Sequence, residues 1–209
     1  MVGFAHSAPW VMPCNAGRKR DALAAMLRDA VLNRAFFHLI GARQHKPQKT
    51  AECLDFIGIN YYTRAVVRSV GWGVNALLGK PCYDSRHNHP GLLSDLGWEI
   101  YPHGLQMVLE KFSRFGVPIF ITENGVATND EAVRRDFILK HLEGLAKALA
   151  SGLKVIGYLY WTLMDNYEWA MGTAPHFGLA AVDPDSQERR PRPSVEVFSR
   201  VCRENRLYV

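Results

Sequence analysis

Val117-Pro118-Ile119-Phe120-Ile121-Thr122 is an apolar, β-branched and aromatic run that stops abruptly at Glu123-Asn124-Gly125. The run is too short for a helix and reads as a buried strand. Asn-Gly tolerates positive φ and marks a turn, so Glu123 stands where a strand opens into a loop. Runs of the same character occur at Val2–Ala5, Leu54–Tyr62 and Lys154–Tyr160. Each is followed by apolar residues at helical spacing. Examples are Leu23, Met26, Leu27, Ala30, Val31 and Phe37 within 18–40, and Leu105, Val108, Leu109 and Phe112 within 105–115. Val133, Phe137, Leu142, Leu145 and Leu149 recur within 131–149, and 193–204 reads as a terminal helix. Strand and helix alternating four times imply a parallel sheet covered by helices. Four such units are half of an eightfold barrel, whose full form takes about 250 residues; this chain has 209. The expected architecture is α/β, the C-terminal half of a (β/α)8 TIM barrel, with residues 1–209 as one domain. In such a barrel catalytic groups gather where strands end. The alternative for Glu123 is a strand cap facing water.

Composition narrows the partners. At 48% hydrophobic and 22% charged residues, the chain is an ordinary globular one, which argues against disorder. The net charge of +5 is scattered, with short clusters at Arg18-Lys19-Arg20 and Arg189-Arg190-Pro191-Arg192 that read as solvated surface. No basic stripe interleaves with aromatics, so nucleic acid is not an expected partner. No stretch is long and apolar enough to span a bilayer, and the N-terminus lacks the pattern of a signal peptide. Cys14, Cys53, Cys82 and Cys202 lie far apart without a Cys-x-x-Cys pair, which suits free thiols in a reducing compartment. The expectation is a cytoplasmic protein without membrane contact. Segment 44–50, polar and containing Pro47, reads as loop. Thr63 to Ser69 extends as a strand, and Phe177 to Asp183 reads as a short one. Segment 71–97, rich in Gly, Pro, Asn and Asp, has the composition of a long surface loop of the kind that borders binding sites. His87-Asn88-His89 lies there without a further ligand; neither metal nor cofactor is expected.

Polar and aromatic groups mark three of the strand ends: Asn60 and Tyr62, then Glu123, then Trp161, Glu168 and Trp169. Indoles stack on the apolar face of a sugar, and carboxylates and amides accept its hydroxyl protons. Core packing is the commoner fate of an indole, but the adjoining Asp165-Asn166-Tyr167-Glu168 is not core composition.

With these segments, and with Gly97-Trp98-Glu99-Ile100-Tyr101-Pro102 and 157–183, the chain resembles glycoside hydrolase family 1, the retaining β-glucosidases and β-galactosidases. The resemblance implies that Glu123 is the catalytic nucleophile, that Tyr62 donates a hydrogen bond orienting it, and that Asn60 lies beside it. It implies further that Glu168 and Trp169 bind sugar hydroxyls, that Trp161 forms the stacking floor, and that Phe177 lines the same pocket. Thr162, Tyr167 and His176 depart from residues frequent in the family without touching those roles. The larger departure is that the family's acid/base motif, Asn-Glu-Pro, is absent from these residues. The chain therefore resembles the family from its fifth strand onward. Retaining hydrolysis uses two carboxyl groups about 5–5.5 Å apart, and Glu123 supplies one. The expectations are a β-glycoside substrate, little turnover by the chain alone, and a complementary N-terminal half or a second copy covering the open sheet. The rival is a carbohydrate-binding or interaction remnant without turnover.

Overall fold

The structure, a computed structural model, describes residues 1–82 and 91–207; His87 and His89 lie outside them. The elements in chain order begin with β1 (Gly3–Ser7), β2 (Trp10–Pro13), α1 (Lys19–Asn33), α2 (Ala35–Leu39) and α3 (Pro47–Ala51). Next come β3 (Phe56–Asn60), β4 (Arg64–Arg68), α4 (Val74–Leu77), β5 (Lys80–Pro81) and α5 (Pro102–Ser113). The last are β6 (Ile119–Asn124), α6 (Glu131–Ala150), β7 (Val155–Tyr160), β8 (Ala180–Val182), β9 (Arg189–Pro191) and α7 (Ser194–Glu204).

The four expected strands form one parallel sheet in the order β1-β3-β6-β7. Sequence neighbours are spatial neighbours, as in an arc of a parallel barrel. One face buries Ile57, Ile59, Ile119 and Ile121 in a single cluster with Leu105, Val108, Leu109 and Phe112 of α5. The other face brings the rings of Phe56 and Phe120 to 6.2 Å. It is narrow at Gly58, where an added Cβ would stand 2.9 Å from the Cα of Ala5. The outermost strands, β1 and β7, have one neighbour each in this sheet. Ile156 and Leu159 of β7 are 53% and 51% exposed, so this edge leaves apolar surface in water.

Several local expectations are corrected. The helical pattern over 18–40 breaks at Arg34, whose φ of −131° leaves the helical region, giving α1 and α2. The segment read as loop at 44–50 contains the start of α3, with Pro47 in the first turn, where its missing N–H costs nothing. The strand expected at 177–183 is shorter, and β8 pairs antiparallel with β9 outside the parallel sheet. Within 71–97 the chain forms α4 and β5, and β2, β4 and β5 make a second sheet. That sheet places Cys14 and Cys82 together: Cys14 N–H donates to Val67, Cys82 N–H donates to Val66, and the two are joined by a disulfide with Cα atoms 5.8 Å apart. Only Cys53 and Cys202 are free. Wide spacing in sequence thus gave the wrong reading, and cysteine usage no longer supports a reducing compartment. Among the described residues no helix is long and apolar enough to cross a membrane.

His141 of α6 is fully buried, stacked on Phe137 with ring centroids 3.8 Å apart. Its Nδ1 lies 2.8 Å from the Phe137 carbonyl, and burial pushes the imidazole down to about 3. The unfolded chain would take up this proton near the ordinary value of about 6.5. The neutral ring therefore favours folding above that value, and the advantage is lost as pH falls through the window toward 3. On acidification below about pH 6.5 the wild-type protein should lose up to about 1.4 kcal/mol per pH unit relative to His141→Leu. Urea unfolding of both proteins across this range measures the difference.

Candidate functional site

The site lies where the parallel strands end. A register shift between Ile59 and Asn60 sets Asn60 opposite Glu123, and Tyr61 N–H donates to the Glu123 carbonyl at 2.9 Å. Strand alternation then sends neighbouring rings to opposite sides. Tyr61 is buried and its hydroxyl donates to the Tyr101 carbonyl at 2.6 Å. Tyr62 faces the site, and its hydroxyl donates to Glu123 Oε2 at 2.6 Å, a short charge-assisted bond. Burial, and then this carboxylate, push the Tyr62 phenol far above its ordinary value, so it remains a donor throughout the accessible pH range. Asn60 stands beside Glu123 in register, and its Oδ1 accepts from the Thr122 hydroxyl at 2.6 Å.

Beyond Glu123 the two strand ends are bound closely. Asn124 Nδ2 donates to the Tyr61 carbonyl at 2.7 Å, and Asn124 Oδ1 accepts from the Tyr158 hydroxyl at 2.7 Å. Trp161 N–H donates to the Asn124 carbonyl at 3.0 Å. Gly125 sits against that strand: an added Cβ would be 1.8 Å from the Trp161 carbonyl oxygen. Asn124 ends β6 and neither it nor Gly125 takes a positive φ, so the Asn-Gly pair marks close backbone approach and not the turn expected from the sequence.

Trp161 Nε1 donates to Glu168 Oε1 at 3.0 Å, so the two meet. Trp169, the next residue after Glu168, starts a 3-10 turn and is 83% exposed. Phe177 is buried, with its ring edge-on to Tyr62 at 6.0 Å; it backs Tyr62 rather than presenting an open wall. Trp98, quoted in the sequence only as part of a motif, completes the packing at 5.6 Å from Tyr62 and 6.3 Å from Phe177. A small cavity is lined by Asn60, Tyr62, Thr63, Trp98, Ser7 and Pro9.

The segment after β7 is held by Asp165. Its carboxylate takes Arg192 through both oxygens at 3.0 and 2.8 Å, and Gly178 N–H at 2.8 Å. His176 Nδ1 lies 3.2 Å away. Arg192 is thus removed from the surface cluster in which the sequence placed it, while Arg189 and Arg190 stay exposed. Burial works to raise the Asp165 carboxyl, but Arg192 and the Gly178 N–H outweigh it and hold the group below its ordinary value. Asp165 stood in the sequence as part of the stretch 165–168 and Arg192 as part of a basic cluster, and neither pointed to their pairing. Among the described residues no cluster of His, Cys, Asp and Glu could hold a metal ion.

An arc of parallel strands backed by helices, with its polar groups at the C-terminal strand ends, defines part of a (β/α)8 barrel. The sequence profile of glycosyl hydrolase family 1 matches residues 42–207, and the chain belongs to that family. It is 40% identical over 159 residues to a β-galactosidase of Sulfolobus acidocaldarius, covering 73% of this chain and 32% of that protein. It is 37% identical over 161 residues to the chloroplastic galactolipid galactosyltransferase of Arabidopsis thaliana, covering 75% of this chain and 24% of that one. Among solved structures, the β-glycosidase from Pyrococcus horikoshii superposes with a TM-score of 0.86 at 35% identity, covering 99% of this chain and 49% of its own. The chain thus spans about a third or less of these curated relatives and about half of the solved structure.

Two substitutions test this geometry. Gly125→Ala forces β6 and β7 apart at their ends and should cost about 1–3 kcal/mol, as overpacking does, read by urea unfolding. Asp165→Asn removes an ion pair whose benefit is complete above the ordinary carboxylate value of about 3.9 and is lost as pH falls through the depressed folded value. It should cost about 1–3 kcal/mol near neutrality. Wild type and variant should converge in thermal melts as pH falls below the ordinary carboxylate range and through the depressed value.

Proposed function

We propose that this chain carries the nucleophile half of a retaining β-glycosidase site, with a β-linked sugar as substrate. The observation that carries the reading is Glu123, placed at a strand end with the Tyr62 hydroxyl 2.6 Å from Oε2, in a chain of family 1. A Glu123 oxygen attacks the anomeric carbon as the bond from that carbon to the leaving oxygen breaks. The departing alkoxide takes a proton from a second carboxyl group. Water then attacks the anomeric carbon, gives up its proton to that carboxylate, and frees Glu123. Tyr62, kept protonated by burial and by Glu123, fixes which carboxylate oxygen is free to attack. Trp161, oriented by its bond to Glu168, offers an indole to the sugar's apolar face. Trp169, exposed beside Glu168, offers a second indole to the same sugar.

The second carboxyl group is supplied by a complementary N-terminal half; a second copy of the chain would cover the open sheet without bringing the Asn-Glu-Pro motif. General acid/base assistance is worth about 10²–10⁴-fold, so the chain alone turns over ordinary β-glycosides poorly. A relative named as a galactolipid galactosyltransferase supports a second reading, in which a sugar hydroxyl replaces water in the second step.

A 2-deoxy-2-fluoro-β-glucoside with a dinitrophenolate leaving group needs no acid and should attach covalently to Glu123, seen as a mass increase on the peptide containing it. Glu123→Gln should take up none. Tyr62→Phe should slow labelling by about 10–100-fold, the worth of a hydrogen bond to a charged group. Sugar-dependent tryptophan fluorescence without any mass increase would favour the carbohydrate-binding remnant.

A further inference from the structure

Arg134 lies in the first turn of α6, and its side chain is 0% exposed. A charge so placed is costly unless every donor is answered. Nε donates to Glu131 at 2.9 Å. Nη1 donates to the carbonyls of Val126 at 3.1 Å and Phe177 at 3.0 Å, with the Tyr160 hydroxyl at 3.4 Å. Nη2 donates to the carbonyls of Thr128 and, at 3.1 Å, His176. One guanidinium therefore joins the segment leaving Glu123 to the segment carrying Phe177. The held segments reach Tyr62 by two routes. Phe177 packs edge-on against its ring. Between Val126 and Thr128, the Ala127 carbonyl accepts from Asp95 N–H at 2.9 Å, in the turn that presents Trp98, whose indole packs against the same ring.

We propose that Arg134 is a positioning residue for the nucleophile: it fixes the Phe177 and Trp98 walls that hold the Tyr62 ring where its hydroxyl meets Glu123. The inference rests on the reading of Glu123 as nucleophile. It assigns a reaction role to a residue that touches neither substrate nor Glu123. The planar fork matters because its five donors serve Glu131 and carbonyls on both segments, where a lysine ammonium has three.

The test is a cycle of Arg134→Lys, Tyr62→Phe and the double variant, with fluoro-glucoside labelling separated into its maximal rate and its half-saturating concentration. Arg134→Lys should lower the maximal rate about tenfold, or 1.4 kcal/mol, and leave the half-saturating concentration within about twofold. The double variant should label no more slowly than Tyr62→Phe alone, because both changes remove one interaction. Phe177→Leu, which leaves the buried charge intact, should reproduce the loss and be equally non-additive with Tyr62→Phe; it decides the matter if Arg134→Lys does not fold. Labelling of Arg134→Lys or Phe177→Leu at the wild-type rate, or losses that add in the double variants, would overturn the proposal while leaving the nucleophile in place. A wild-type protein that takes up no label overturns both.

Discussion

The side-chain amide of Asn124 crosses the sheet at the point where the strands end. Its nitrogen holds the Tyr61 carbonyl of β3's extension and its oxygen receives the Tyr158 hydroxyl of β7, both at 2.7 Å. Parallel strands cannot be joined by a hairpin, so their relative heights at this end depend on such side-chain bonds. Asn124 fixes three strands against one another with its two ends. Tyr62 follows Tyr61 directly and Glu123 precedes Asn124, so the short bond between them inherits that alignment. Gly125 extends the same constraint by bringing the backbone of Trp161 to the nucleophile strand.

The alternation of apolar runs and helical spacing made the parallel sheet legible, because both periods are written in residues that choose one face. Glu123, Tyr62 and the Trp161–Glu168 pair were legible as candidates because each stands where an apolar run stops. Trp169 was read into the same cluster, yet spacing carries no information about a side chain on a 3-10 turn. The partnerships of Arg134, Asp165 and Arg192 were invisible for a related reason. A charge within a helix or loop reads as solvent-facing unless its partners are known, and the partners of Arg134 are mostly backbone carbonyls remote in sequence. The Cys14–Cys82 pairing depended on the second sheet, whose short strands Trp10–Pro13 and Lys80–Pro81 contain too few residues for a period to show.

Buried polar groups in this structure do the work of joining loops. Arg134, Asp165 and Asn124 each satisfy groups on two or more segments that are distant in sequence. Such networks are expensive when half satisfied, which ties the integrity of the site to complete hydrogen bonding. The hydrophobic clusters lie on the helix side of the sheet, and the chemistry lies at its end. Packing therefore sets the strands, and the polar network sets the side chains on them.

The bond between Cys14 and Cys82 spans a sequence separation of 68. It makes one covalent ring of residues 14–82, from the end of β2 through β5. Asn60 and Tyr62 lie within that ring, and Glu123 and Trp161 lie outside it. A loop of this size removes about 4 kcal/mol of chain entropy from the unfolded ensemble in the simplest treatment. That restraint raises the stability of the whole fold and not of one residue. The hydroxyl donor lies inside the covalent ring and the carboxylate outside it, so what joins the two across that boundary is the pairing of β3 with β6.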